Sequence, residues 1–134
     1  MALTVQTTDI VGSGAAFTFA AVGDSFILAE GVTLVSTGGS PTVISGNEQN
    51  SVSIYGSVFG GDLGIEMNET DAYVFIGQSG VVSGENFAVA IDNLGFSNFG
   101  SVINYGTLSG EAGIGHFTAG VIYNYGSVVG GAFA

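Results

Sequence analysis

The amino-acid sequence predicts an all-β fold, a parallel β-helix (β-solenoid) of about five coils. Three observations predict it. A glycine-framed motif recurs every 20–26 residues, the segments beside it alternate large apolar with small or polar residues, and helical periodicity is absent. We expect a single domain over residues 1–134, with an irregular lead-in or cap over 1–50 and regular coils over 51–134.

The lead-in lacks a regular copy of the motif. A degenerate copy begins at Gly31, and the same stretch holds the only proline, Pro41, and a Gly/Ser-rich loop over residues 36–40. Proline and loops of this kind interrupt strand ladders. We therefore expect this segment to cap the regular coils or to lead into them.

The regular coils carry the pattern Gly-x-(Val/Leu)-x-Gly four times, and its first glycines lie 24, 26 and 20 residues apart. Glycine permits the tight turns between short strands, and stacking at about 4.8 Å per coil brings like residues into ladders. The glycines expected in this structural ladder are Gly56, Gly60, Gly80, Gly84, Gly106, Gly110, Gly126 and Gly130.

The segments beside the motif predict the strands and the core. Each alternates residue types with a period of two, as a half-buried strand does. Equivalent residues of successive coils should then stack inside the solenoid. The expected inner ladders are Val52/Val74/Val102, Val58/Val82/Leu108, Leu63/Phe87/Ala112 and Ile65/Val89/Ile114.

Three runs carry a resemblance to known proteins: residues 23–35, 98–110 and 123–130. They resemble the β-solenoid regions of secreted bacterial proteins, such as autotransporter passengers and the segments that accompany RTX (hemolysin-type calcium-binding) repeats. The resemblance implies an extracellular or cell-surface location, reached without a classical N-terminal signal peptide in this chain. The RTX nonapeptide GGxGxDxUx does not occur, and residues 60–64 (GGDLG) are only a partial match to it.

The charge composition excludes several classes of function. The chain has no Lys or Arg, 11 Asp plus Glu, one His and a formal net charge of −11. Nucleic-acid binding and polybasic membrane-surface binding both need basic residues, so neither is expected. No apolar run approaches the roughly 18 residues of a membrane-spanning helix, so we expect no membrane insertion.

Tyrosine and asparagine recur at fixed places beside the motif. Tyr55, Tyr105 and Tyr125 each precede its first glycine, and Ser79 takes that place in the copy that begins at Gly80. If these tyrosines face outward, they form a broken aromatic ladder suited to stacking on sugars or to adhesion. The alternative is that they stabilise the solenoid by stacking on one another. Asn104 and Asn124 are expected to form an amide ladder that satisfies turn backbone groups.

Acidic residues follow the second glycine of the motif in successive coils, as Asp62, Glu85 and Glu111. Stacked carboxylates repel one another, and the chain has no basic residue to neutralise them. They either extend into water or bind a hard cation such as Ca²⁺ through oxygen ligands. A second candidate cluster in the turn EMNETD comprises Glu66, Glu69 and Asp71. No cofactor is required by the fold, and calcium is the one that the acids would suit.

The chain offers little for catalysis. The single histidine, His116, shares a predicted column with Met67 and Ile91, which favours a residue at the edge of the core. We expect no catalytic residues and no enzymatic activity.

The functional prediction is therefore a non-enzymatic extracellular structural solenoid, either an adhesin module or a self-assembling filament or matrix subunit. The final coil has no charged residue after Glu111 and would expose strand edges, so the expected partner of the chain is a second copy of itself; the alternative is that the chain is a fragment of a longer protein. The alternatives are a carbohydrate-binding or carbohydrate-active β-helix, with glycans as partners, and a calcium-binding module of a type I-secreted protein.

Overall fold

The computed structural model describes residues 1–68, 70–91, 100–116 and 120–133. Every regular element in these ranges is a β-strand. The strands are β1 (Leu3–Gln6), β2 (Ile10–Gly12), β3 (Phe17–Thr18), β4 (Ser25–Leu28), β5 (Thr33–Ser36), β6 (Val43–Ser45), β7 (Ser51–Ile54), β8 (Ser57–Gly60), β9 (Leu63–Met67), β10 (Tyr73–Ile76), β11 (Val81–Gly84), β12 (Phe87–Ile91), β13 (Gly100–Asn104), β14 (Thr107–His116), β15 (Gly120–Asn124) and β16 (Ser127–Phe133).

The strands stack in parallel, each on the equivalent strand of the previous turn. One sheet has the order β1-β4-β7-β10-β13-β15, and we call it the first face. The second face is β2-β5-β8-β11 with the beginning of β14, and the third face is β3-β6-β9-β12 with the end of β14. β14 continues around the corner between these two faces, and β16 pairs with it. This arrangement confirms the predicted β-solenoid of about 5 turns.

The pairing register confirms the predicted ladders. On the first face Val74 pairs with both Val52 and Val102. The other three ladders are paired as predicted. Their side chains are buried, except that Leu63 and Phe87 are only half-buried. Alternation and glycine spacing were therefore sufficient to give the register of the regular coils.

Residues 1–50 lack the regular motif, but their strands continue the same stack. Ser25 pairs with Leu3 on one side and with Ser51 on the other, and Thr33 pairs with Ser57 on the second face. The predicted irregular lead-in therefore describes the sequence of this segment and not its strand pairing. Backbone hydrogen bonds need no particular side chain, and Phe26 still supplies an apolar inward position.

The corner that precedes the first face has an unusual backbone conformation. Gly23, Gln49 and Asp71 each lie two residues before a strand of this face, and their φ angles are 74°, 59° and 57°. Their amides belong to the same stack, since Gly23 donates to Glu48 and Gln49 donates to Thr70. Positive φ is favourable for glycine and disfavoured for the other two residues. The corner geometry is thus repeated although the residue type is not.

The core is a column of apolar side chains that runs along the axis between the three faces. Its largest fully buried members include Leu28, Ile54 and Ile76 on the first face. At the beginning of the chain, Phe17 stacks on Phe26 with ring centroids 4.1 Å apart. In the part of the chain that is described, no helix is long and apolar enough to cross a membrane.

Candidate functional site

An exposed row of aromatic rings runs along the outside of the solenoid beside the corner that follows the first face. Tyr55, Tyr105 and Tyr125 directly follow the first-face strands β7, β13 and β15, and all three are exposed. Tyr105 and Tyr125 stack with centroids 4.9 Å apart and planes 15° apart. Tyr123 lies 6.5 Å from Tyr125 with a nearly parallel ring. The predicted tyrosines are thus brought together as one surface.

Phe75 fills the break that the sequence pattern leaves in this row. Its ring centroid lies 5.9 Å from that of Tyr55 and 5.9 Å from that of Tyr105. We call Tyr55, Phe75, Tyr105, Tyr125 and Tyr123 the aromatic ladder. Phe75 was missed because it belongs to the strand and not to the corner. The signal was available in its register with Ile103, which pairs in turn with Tyr123.

In the copy of the motif that begins at Gly80, Ser79 precedes the glycine in sequence, but Gly77 holds the stacked position of the tyrosines. Gly77 donates its amide to Ile54, and Tyr105 donates its amide to Ile76, so Gly77 lies between Tyr55 and Tyr105 in the stack. A Cβ on Gly77 would lie 2.5 Å from the ring of Tyr55. The corner of this turn is two residues longer, and Ser79 donates instead to the carbonyl of Tyr55 at 2.7 Å.

An open groove lies beside the first ring of the aromatic ladder. It has a volume of about 470 Å³ and is lined by Glu30, Tyr55, Gln78 and Ser79. One exposed ring next to one carboxylate, an amide and a hydroxyl is a surface that hydrogen-bonding ligands with apolar faces can contact. The long corner after β10 supplies Gln78 and Ser79, and the equally long corner after β4 supplies Glu30, so the groove depends on the two corners that are longer than the others between these faces.

The two asparagines form a hydrogen-bonded ladder at the same corner, on the inner side. Asn104 donates its amide to Asn124 Oδ1 at 2.8 Å and to the carbonyl of Ser127 at 3.2 Å. Each asparagine also accepts from the amide two residues later, so that Asn104 Oδ1 receives Gly106 N–H at 3.0 Å. The side chains therefore satisfy the backbone of the turn, which is the structural role expected of them.

The acidic residues do not gather into an ion site in the described ranges. Asp62 accepts a hydrogen bond from the Asn86 side chain, and Glu111 donates its backbone amide to the carbonyl of Glu85. Among residues 1–68, 70–91, 100–116 and 120–133, no three His, Asp or Glu side chains are placed to hold a metal ion together. Glu69, a member of the second predicted cluster, lies outside the described residues. Calcium binding therefore stays a prediction.

The two ends of the solenoid form the other candidate surface. At the N-terminal end β1, β2 and β3 each pair with one strand, and at the C-terminal end the same holds for β15 and β16, within the described ranges. Inward-facing residues at both ends are only half-buried, among them Ile10, Ile122 and Val128. Each end thus combines an open row of backbone hydrogen-bonding groups with exposed apolar area. His116 pairs with Ile91 as predicted.

These features define the class of the protein as a parallel β-solenoid with an exposed aromatic row on its described residues. Comparison with known proteins adds no closer affiliation: no family model matches the chain, and neither a curated protein nor a solved structure shows significant similarity to it. The resemblance to autotransporter passengers and RTX-associated solenoids therefore carries no site residues over to this chain.

Proposed function

We propose that the chain is a non-enzymatic structural β-solenoid whose copies stack end to end into a filament. The observation that carries the proposal is the contrast in burial along one column. Val52, Val74 and Val102 are fully buried, whereas Ile122, the next residue of that column, is only half-buried. A further turn placed on the C-terminal end would bury it as Val102 is buried.

The parallel arrangement supports a second copy as the source of that turn. In a stack of parallel strands, the edge exposed at one end is complementary to the edge exposed at the other. A contact between unlike ends does not close, so it generates a filament instead of a dimer. Within the chain, each middle turn pairs in parallel with the turn before it and the turn after it.

The charge distribution supports the same proposal. The described residues of the last turn, 120–133, carry no acidic side chain, and Asp9 is the single acid in residues 1–22. The remaining acids lie between Asp24 and Glu111. Electrostatic repulsion between two copies is therefore strongest when they lie side by side and weakest when they stack end to end. This favours growth along the axis over lateral association.

Electron microscopy and sedimentation of the 134-residue chain over a concentration series test this proposal. We expect filaments that lengthen with concentration. Ile122→Asp, which puts a charge into the C-terminal end, should abolish them. Phe59→Asp, on an exposed outward position of β8, is the matched control and should leave them intact. A wild-type chain that stays monomeric at every concentration overturns the proposal.

Binding of a neutral glycan is a second candidate function, favoured by the continuity of the aromatic ladder. Exposed rings contact the apolar faces of sugars, and the groove at Tyr55 adds an amide, a hydroxyl and a carboxylate. The absence of Lys and Arg disfavours anionic glycans. We expect Tyr105→Ala to lower binding to a glycan array at least tenfold, with Phe59→Ala unchanged. Equal binding by both variants contradicts this candidate.

The location that goes with both candidates is the cell surface or the extracellular space, where the chain would serve as a filament, matrix or adhesin module. Its support is the sequence resemblance to secreted bacterial solenoids. Fractionation of the source cells, with surface proteolysis of the intact cells, tests it. Protection of the chain until the cells are lysed contradicts it.

A further inference from the structure

We infer that the end-to-end junction has one defined register, in which β15 of one copy pairs with β1 of the next while β16 pairs with β2. The inference rests on the proposed function, because it names which strands and residues meet when two copies stack. Four properties of the end turns carry it: register, residue type, side-chain amides and corner length.

The register follows from the columns of the first face. Pairing runs from Leu3 through four intermediate strands to Val121, without a shift. A second copy that continues these columns places its Leu3 beside Val121 of the first. The facing pairs on this face are then Val121 with Leu3, Ile122 with Thr4, Tyr123 with Val5, and Asn124 with Gln6.

One outward column of the first face is apolar at both ends and mostly polar between them. In the column of Leu3 and Val121, three of the four intermediate residues are serines: Ser25, Ser51 and Ser101. The two terminal members are apolar, yet 63% and 37% exposed. Exposed apolar side chains at both ends of a column are stabilised if the ends meet, because each then covers the other.

The second face repeats this complementarity. Its columns place Val128 beside Ile10 and Val129 beside Val11 at the junction. Ile10 and Val128 are both half-buried inward residues, while Val11 and Val129 are 71% and 58% exposed. Two faces therefore present apolar pairs in the same register.

The amide ladder also continues across the junction. Asn104 donates to Asn124 Oδ1 inside one copy. In the inferred register Asn124 faces Gln6, whose side-chain Nε2 donates within its own turn to the carbonyl of Thr8 at 2.7 Å. The Asn124 amide nitrogen then has Gln6 Oε1 as its acceptor, so an amide meets an amide.

The corner between the first and second faces has the same length in the first turn and in the last turn. Ile10 follows Gln6 by four residues, as Val128 follows Asn124. In two of the middle turns this spacing is six residues, from Leu28 to Leu34 and from Ile76 to Val82. Corners of this length already stack on each other after Asn104 and Asn124, so the ladders of the first and second faces can also form together at the junction.

Disulfide trapping tests the register, and the chain contains no cysteine to interfere. Val5→Cys combined with Tyr123→Cys should give a ladder of covalent multimers on a non-reducing gel after mild oxidation. Adjacent strands lie about 4.8 Å apart, within the Cα separation that a disulfide spans. Val5→Cys combined with Val121→Cys is the matched control, because its partners are offset by two residues, about 6.6 Å along the strand. It should give none.

A second pair, Val11→Cys with Val129→Cys, tests the second face independently and serves if the first double variant fails to fold. Circular dichroism and microscopy of each reduced variant establish that it folds and polymerises before oxidation. Filaments that cross-link through the offset pair, or through neither in-register pair, overturn the inferred register and leave the proposed filament standing. A wild-type chain without filaments removes the proposed function itself.

Discussion

Asn104 and Asn124 occupy the same column one turn apart, and each accepts a hydrogen bond from the backbone amide two residues later. They differ in how far the neighbouring turns cover them. Asn104 is fully buried and Asn124 is exposed. Val102 and Ile122 show the same contrast on the same two strands. Burial in this fold is therefore supplied by the neighbouring turn and not by the residue's own hydropathy. The middle turns and the end turns should respond differently to the same substitution.

The largest difference is expected between Gly106, at a corner packed on the turn below, and Gly12, at the end of β2 in the first turn. A Cβ on Gly106 would lie 2.1 Å from the carbonyl oxygen of Gly80 in the turn below, whereas a Cβ on Gly12, in the first turn, meets nothing within 4 Å. Gly106→Ala should lower the free energy of unfolding by about 3 kcal/mol or more, since backbone must move. Gly12→Ala should change it by less than about 0.5 kcal/mol.

Urea unfolding followed by circular dichroism measures both glycine variants on the same scale. Similar m-values for the two variants would attribute the difference to native-state stability and not to the unfolded state. Equal midpoints for Gly106→Ala and Gly12→Ala would contradict the close approach of successive corners.

A smaller difference is expected for the same large-to-small change in the core. Ile76→Ala removes a fully buried side chain and should lower the free energy of unfolding by about 2–5 kcal/mol. Ile122→Ala removes a half-buried one, and in the single chain it should have an effect of about 1 kcal/mol. Thermal unfolding at low protein concentration measures both. If copies stack, the effect of Ile122→Ala grows with concentration, and a concentration-independent effect would count against stacking.

The asparagine pair gives the next smaller contrast. Asn104→Ala leaves the buried amide of Gly106 without its side-chain acceptor and should lower stability by about 1–3 kcal/mol. In Asn124→Ala, Asn104 retains the Ser127 carbonyl as an acceptor, so the loss should stay below about 1 kcal/mol. Chemical denaturation with both variants in parallel is the measurement. A larger loss for Asn124→Ala would show that the exposed end is not exposed in solution.

The sequence predicted the part of the fold in which side chains repeat. Val52, Val74 and Val102 recur with the glycine motif, and the alternation of strand residues placed them on one inner column. Residues 1–50 were harder to predict, because their strands continue the backbone ladder without the motif. Parallel pairing is made by backbone groups, so Ser25 can stand where Leu3 and Tyr73 stand in other turns.

The candidate surfaces were predictable to different degrees. The tyrosines and asparagines were found because they keep a fixed distance from the motif. Phe75 was not found because it lies within a strand and not beside the motif. Gly77 was not found because a corner that is two residues longer shifts the register between the motif and the strand before it. The complementarity of the two ends depends on columns that span the whole chain, so it needs every strand pairing and not a local pattern.

The smallest effect is expected for added calcium. It tests whether the acidic side chains of the middle turns extend into water or bind a cation. Asp62 already accepts from Asn86, and Asp9 from the amide of Thr33 at 2.8 Å. We expect millimolar Ca²⁺ to raise the unfolding midpoint no more than sodium chloride of equal ionic strength does, because both then act by screening. A specific site at a hundred times its Kd would add about 2.7 kcal/mol. A calcium-specific rise of that size, reversed by a chelator and lost in Asp62→Asn, would instead assign the acids of the middle turns to an ion site.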